Sequence, residues 1–233
     1  MSSGFFGFFA HTGMLMVLEE EGLLPARVTG SSAGALIGGL WASGISASDL
    51  GEELVRLSRE DFWDPTPGFG LLRGKRFREK LGSLLQKSEM KDTRVPVSIS
   101  VFDVLTNKTR ALSEGSMAAA IHASCAVPFL FHPVWIGGRP YLDGGITDRP
   151  GLHSVRGDER VFYHHLSSRS PWRKRGSKSL DVPQREGLTA LVIDHLPRVG
   201  PFKLEIGKHA LEEARRVTKR ALSAEVHHGL VRF

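Results

Sequence analysis

The sequence predicts an α/β fold with a mostly parallel central sheet and helices on both faces. Three observations point there. Short strand-like runs alternate with helical ones along most of the 233 residues, as in strands joined by crossover helices. A glycine-flanked turn, Gly30-Ser31-Ser32-Ala33-Gly34, stands between a short strand and an apolar run of small residues. Hydrophobic residues make up 41% and charged residues 24% of the chain, enough apolar material for a sizeable core.

In chain order, residues 12–22 (TGMLMVLEEEG) read as a helix stopped at Gly22, and 26–29 (ARVT) as a strand leading into the turn. Residues 33–44 read as a buried helix, with Ser48 or Asp49 capping the next one, which runs to about Ser58. The stretch DFWDPTPGFG is either a packed loop or an aromatic lip that touches lipid. Residues 75–87 carry Phe77, Leu81, Leu84 and Leu85 at helical spacing. Residues 95–102 (VPVSISVF) alternate as a strand, and a turn at Thr106-Asn107-Lys108 leads into another. An alanine-rich helix over 115–124 stops near Pro128, and VWIGGRPYLDGG forms a hairpin about Gly137-Gly138. A strand over 160–166, a strand at LVID and an amphipathic helix near 207–222, with Glu212 and Arg216 one turn apart, complete the chain. The domain organisation expected is a core over 1–166, a basic linker or loop over 167–187, and a C-terminal strand and helix over 188–233 packing on the core.

The single cysteine, Cys125, rules out an internal disulfide and suits a reducing compartment. A net charge of +6 favours anionic partners, and no motif interleaves basic and aromatic residues for nucleic acid. The N-terminus lacks the basic segment of a secretory signal, and the apolar run 33–45 is short for a membrane span. The expectation is a cytoplasmic protein with peripheral contact to an anionic membrane surface. Nothing in the sequence sets an oligomeric state.

Gly30-Ser31-Ser32-Ala33-Gly34 fits G-x-S-x-G, in which glycines keep Cβ atoms out of a sharp strand-to-helix turn that exposes a serine oxygen at a helix N-terminus. A serine nucleophile needs a base. None of the ten histidines lies in a triad signature, and Ser32 comes after too few strands for the usual Ser-Asp-His hydrolase order. Asp143 is the better partner: it ends a strand, and Gly144 and Gly145 then allow a sharp turn with the carboxylate aimed outward.

Together the elbow GSSAG, the later DGG and the opening GFFGFFAHTGMLMVLEEEGL resemble the patatin-like phospholipase family. The segments FGLLRGKRF, VPVSISVFDVLTNKT and ASCAVPFLFHPV add to the likeness, which covers about residues 2–166 in order. The resemblance implies a three-layer fold, a Ser32–Asp143 dyad and lipid acyl hydrolysis through an acyl-serine, with no metal or cofactor. It also implies an oxyanion hole in the glycine-rich opening, with the best matches at Ser3, Gly4 and Phe5, and Gly7 closing the motif. The chain departs from the family in two ways. The strand that normally precedes the glycine motif is missing or truncated, and Ser2 and Ser3 stand where glycines are usual. Two alternatives follow: a catalytically weak lipid- or membrane-binding module, and a Ser-His-Asp esterase.

Overall fold

A computed structural model describes residues 1–167 and 176–233. Much of the basic stretch expected as a linker (Arg169 to Lys178) lies outside the described residues. The elements run α1 (Phe8–Glu20), β1 (Val28–Ser31), α2 (Ala33–Ser43), α3 (Ala47–Val55), β2 (Gly70–Leu72), α4 (Lys75–Leu84), β3 (Val97–Asp103) and β4 (Lys108–Leu112). They continue as α5 (Met117–Ser124), β5 (Phe129–Phe131), β6 (Val134–Ile136), β7 (Arg139–Asp143), β8 (Val161–Leu166), β9 (Leu188–Ile193), α6 (Ile206–Ala221) and β10 (Leu230–Arg232).

β3 is the pivot of the main sheet. One of its edges pairs antiparallel with β4, from Ile99 opposite Leu112 to Asp103 opposite Lys108. The other edge is shared end to end by two strands. β1 runs parallel along its first half and stops with Ser31 opposite Ser100. β7 runs antiparallel along its second half and stops with Asp143 opposite Val101. β6 then joins β7 in a hairpin whose Gly137 and Gly138 both have positive φ, 55° and 74°, the backbone of a tight two-residue turn. A second, parallel sheet has the order β10-β9-β8, and β2 and β5 form a separate parallel ribbon. Among the described residues four of the seven strand pairings are parallel, so the expected α/β fold is the one observed.

Among the described residues no strand precedes β1, but residues 1 and 2 lie between the two sheets and bond to both. The Met1 amine donates to Thr29 O (2.9 Å) and Met1 O accepts from Ser31 N (3.3 Å). Ser2 N donates to His164 O (3.3 Å), and Ser2 Oγ accepts from Leu166 N (3.0 Å). Two residues thus satisfy the facing edges of β1 and β8, where an unpaired backbone group would be costly. The main core gathers Phe9, Trp41, Ile99, Ile121, Leu191 and Leu211 from all layers. α6 crosses α1 closely because Gly13 has no side chain: a Cβ there would lie 2.2 Å from Leu211 O.

Several local readings change. The first helix starts at Phe8 rather than at residue 12, and the first strand extends to Ser31 because its register with β3 continues that far. Ser46, not Ser48 or Asp49, caps α3: its Oγ accepts from Asp49 N (3.0 Å) and donates to the Asp49 carboxylate (2.7 Å). β3 does not alternate, because helices and strands cover both its faces and six of its seven residues are buried. Arg216 pairs with Glu213 (2.6 Å) rather than Glu212, which lies 3.9 Å from Lys208. Within DFWDPTPGFG, Phe62 packs against Phe6 and Trp63 against Phe202, while Phe69 stands in solvent.

Candidate active site

The strand register explains how residues 111 apart meet. β1 and β7 end head to head on consecutive residues of β3, Ser100 and Val101. Ser32, the next residue beyond β1, therefore arrives at Asp143. Ser32 Oγ donates to Asp143 Oδ2 at 2.7 Å. The other carboxylate oxygen, Oδ1, accepts from Gly145 N at 2.7 Å, so the carboxylate is held from both sides.

Ser32 adopts φ 50°, ψ −114°, a strained conformation for a residue with a side chain. The strain is imposed by packing. A Cβ on Gly30 would lie 2.4 Å from Gly34 C, and one on Gly34 would lie 2.2 Å from Met1 O. The same logic holds at the acid turn, where a Cβ on Gly144 would lie 2.0 Å from Ser100 O and one on Gly145 2.4 Å from Ser3 Oγ. Of the two adjacent serines, Ser31 points inward: it is fully buried and its hydroxyl has no hydrogen-bond partner among the described residues. α2 begins immediately after Ser32, so its positive end faces the Ser32 oxygen.

The glycine-rich opening is only partly available as an oxyanion site. Ser3 N–H is taken by Arg149 O (2.7 Å) and Gly7 N–H by Gly4 O (2.9 Å), which removes two of the four expected donors. The Gly4 N–H has no partner among the described residues. Gly4 and Gly7 are needed for a different reason: a Cβ at either would run into Leu166 of β8, at 2.4 and 2.1 Å.

Sequence reasoning missed the support beneath the elbow. Ser124, at the end of α5, accepts from Ser32 N (2.8 Å) and donates to Ser100 O (2.7 Å). Ala126 O accepts from Asp143 N (2.9 Å), so one short segment holds both halves of the pair. The adjacent Cys125 Sγ lies 3.4 Å from Ser32 O, and burial together with the Asp143 charge pushes its thiol well above the usual range. Ser124→Ala would leave Ser32 N–H unpaired. We expect it to lower stability by about 1–3 kcal/mol, read by thermal unfolding.

A further polar group ties the opening to the second sheet. His11 Nε2 donates to Ser2 O (2.8 Å), so its Nδ1 accepts from His164 Nδ1 (2.9 Å). Burial, followed by the neighbouring N-terminal charge, holds His164 down to about 3. Arg149, beside them, donates to Leu166 O. No histidine bonds to Ser32 among the described residues.

Among the described residues no helix is long and apolar enough to cross a membrane, and no group of three or more His, Cys, Asp or Glu is arranged to hold a metal ion. The model of the family described as patatin-like phospholipase matches residues 1–156. An uncharacterised NTE family protein of Mycobacterium tuberculosis is 28% identical over 152 residues, covering 64% of this chain and 42% of that protein. A protein of Debaryomyces hansenii named lysophospholipase NTE1 is 26% identical over 147 residues, covering 60% of this chain and 10% of its own. The match therefore spans less than half the length of either relative. Among solved structures, VipD from Legionella pneumophila superposes with a TM-score of 0.55 at 15% identity, covering 82% of this chain and 48% of VipD, a likeness of fold.

Proposed function

The chain belongs to the patatin-like phospholipase family, and from that premise we propose that it is a lipid acyl hydrolase working through Ser32 and Asp143. The observation that carries this reading is the 2.7 Å bond from Ser32 Oγ to Asp143 Oδ2 on a strained elbow. Ser32 Oγ attacks the ester carbonyl carbon while its proton passes to Asp143 Oδ2. The tetrahedral oxyanion is met by the Gly4 N–H and the first N–H groups of α2. Collapse expels the alcohol, which takes the proton from Asp143 and leaves an acyl-serine. Water then attacks that acyl group, giving its proton to Asp143, and the fatty acid leaves as Ser32 recovers its proton. The substrate class is a carboxylic ester of a phospholipid, lysophospholipid or glyceride. Phe5, Phe6 and Phe8, with Phe6 set edge-on to Phe62, offer apolar surface for an acyl chain next to Gly4.

One observation favours a second reading, lipid binding with weak turnover: the Ser3 N–H is already bonded to Arg149 O. Loss of one oxyanion donor costs about 10²–10³ in rate. A fluorophosphonate probe separates the two readings, because it reports the nucleophile in a single turnover. The expected result is one adduct per chain, on Ser32, with medium-chain p-nitrophenyl ester hydrolysis abolished by Ser32→Ala. No adduct and no hydrolysis would sink the hydrolase reading.

A further inference from the structure

We propose that the β2–β5 ribbon is a docking surface for an anionic lipid bilayer, set beside the Ser32–Asp143 pair. The proposal rests on the lipid-hydrolase reading for its purpose, though not for its test. Phe69 and Phe129 are each 88% exposed and Leu71 is 48% exposed; Leu71 and Phe129 belong to this one small element, and Phe69 immediately precedes β2. Gly70 sits opposite Phe129 and Leu72 opposite Phe131. Leu72 and Phe131 point into the core, so the ribbon has a buried side and a bare aromatic side.

The exposure is built into the backbone. Period-two alternation would put Phe129 on the face of the buried Phe131. Instead Phe129 has φ 66°, a conformation that a bulky residue adopts only at a cost. The chain thus accepts local strain to put an aromatic ring in water. Nor is the ribbon a loose loop. Thr66 N donates to Leu71 O (3.0 Å) and His132 N to Leu72 O (3.0 Å). A Cβ on Gly70 would lie 2.4 Å from Phe131 C, so the two strands are pressed together.

Charge selects the occupant. Between Phe69 and Lys80 there are five basic residues and one acid, Glu79. Lys80 turns to Glu53 (3.0 Å) and Lys75 lies 3.6 Å from Glu79, while Arg73, Arg76 and Arg78 are exposed. The Asp64 carboxylate accepts from Gly74 N (2.9 Å), Lys75 N (2.6 Å) and Arg76 N (3.2 Å), fixing the start of α4, and with it these cations, next to the ribbon. Exposed aromatic rings bordered by arginine and lysine match the interface of a bilayer with anionic headgroups. The site is close: Cys125 touches Ser32 O, and Phe129 follows four residues later, at most about 14 Å along an extended chain. A protein seated on this ribbon would have its nucleophile next to the lipid surface.

The test uses the Ser32→Ala protein, so that vesicles stay intact and the outcome does not depend on turnover. Its co-sedimentation is measured with vesicles of phosphatidylcholine alone and of phosphatidylcholine mixed with phosphatidylglycerol. Stronger partition to the mixed vesicles is expected. Adding Phe69→Ser and Phe129→Gly should weaken it at least about tenfold. Phe129→Gly suits a positive φ, and an unchanged or raised thermal midpoint verifies folding. Arg73→Glu with Arg76→Glu should remove the preference for anionic vesicles, by about fivefold per charge. Equal partition to both vesicle types, no partition at all, or partition indifferent to the phenylalanines would overturn the proposal. So would a solution dimer that dissociates on losing the two rings while vesicles are ignored.

Discussion

Asp143→Asn is expected to leave the fold intact and lower kcat for a medium-chain p-nitrophenyl ester by about 10²- to 10⁴-fold. The native carboxylate accepts from Ser32 Oγ at 2.7 Å and from Gly145 N at 2.7 Å. An asparagine has one acceptor oxygen and one donor NH2. With its oxygen on Gly145 N–H, its NH2 must face Ser32, and the hydrogen bond to the nucleophile reverses. Ser32 then has nowhere to send its proton. Because both residues act in one step, the Ser32→Ala/Asp143→Asn double variant should be no worse than Ser32→Ala alone. Steady-state kinetics on the three variants check this, with circular dichroism to verify folding. If Asp143→Asn kept more than about a tenth of wild-type turnover, the base would be elsewhere. The Ser-His-Asp alternative would then need a histidine at Ser32, and His11 and His164 are bonded to each other instead.

The elbow was legible because its logic is steric and local: Gly30 and Gly34 are required by backbone atoms within a few residues or directly overhead. The partnership of Ser32 with Asp143 was not legible from residue spacing. It depends on where β1 and β7 stop along β3; the strand end and glycine turn made Asp143 the better candidate, and the family resemblance paired it with Ser32. The same resemblance pointed to Ser3 as an oxyanion donor, yet its amide is bonded to Arg149 O, a partner that no local pattern names. β2 and β5 have three residues each, and β2 begins with a glycine; both are too short for periodicity to register. Buried histidines also escape sequence reading, since His11 and His164 become a pair only across 153 residues of chain.

Those histidines carry the last large effect: the protein should lose several kcal/mol of stability between pH 7 and pH 5. Burial holds His122 down to about 4, with Arg78 adding to the shift. It holds His165 down to about 4, with Arg149 adding, and His164 down to about 3. Each has an ordinary value of 6.5 when unfolded. The folded values are depressed, so the unfolded chain binds protons that the folded chain refuses. Their stabilising contribution is complete above pH 6.5 and is lost as pH falls towards about 4. At about 1.4 kcal/mol per pH unit, each histidine gives up about 2 kcal/mol by pH 5. Three such losses are a large part of the 5–15 kcal/mol that domains usually have. Urea midpoints at the two pH values measure the total, and His122→Phe isolates one contributor. Among the described residues both His122 ring nitrogens lack a hydrogen-bond partner, and the ring sits among Phe77 and Phe131, so a phenyl ring leaves no polar atom unpaired there. The variant should therefore match or exceed wild type at pH 7 and lose about 2 kcal/mol less on going to pH 5. An unchanged pH slope in that variant would mean that His122 binds its proton equally well in the folded and unfolded chain, so that burial does not depress it.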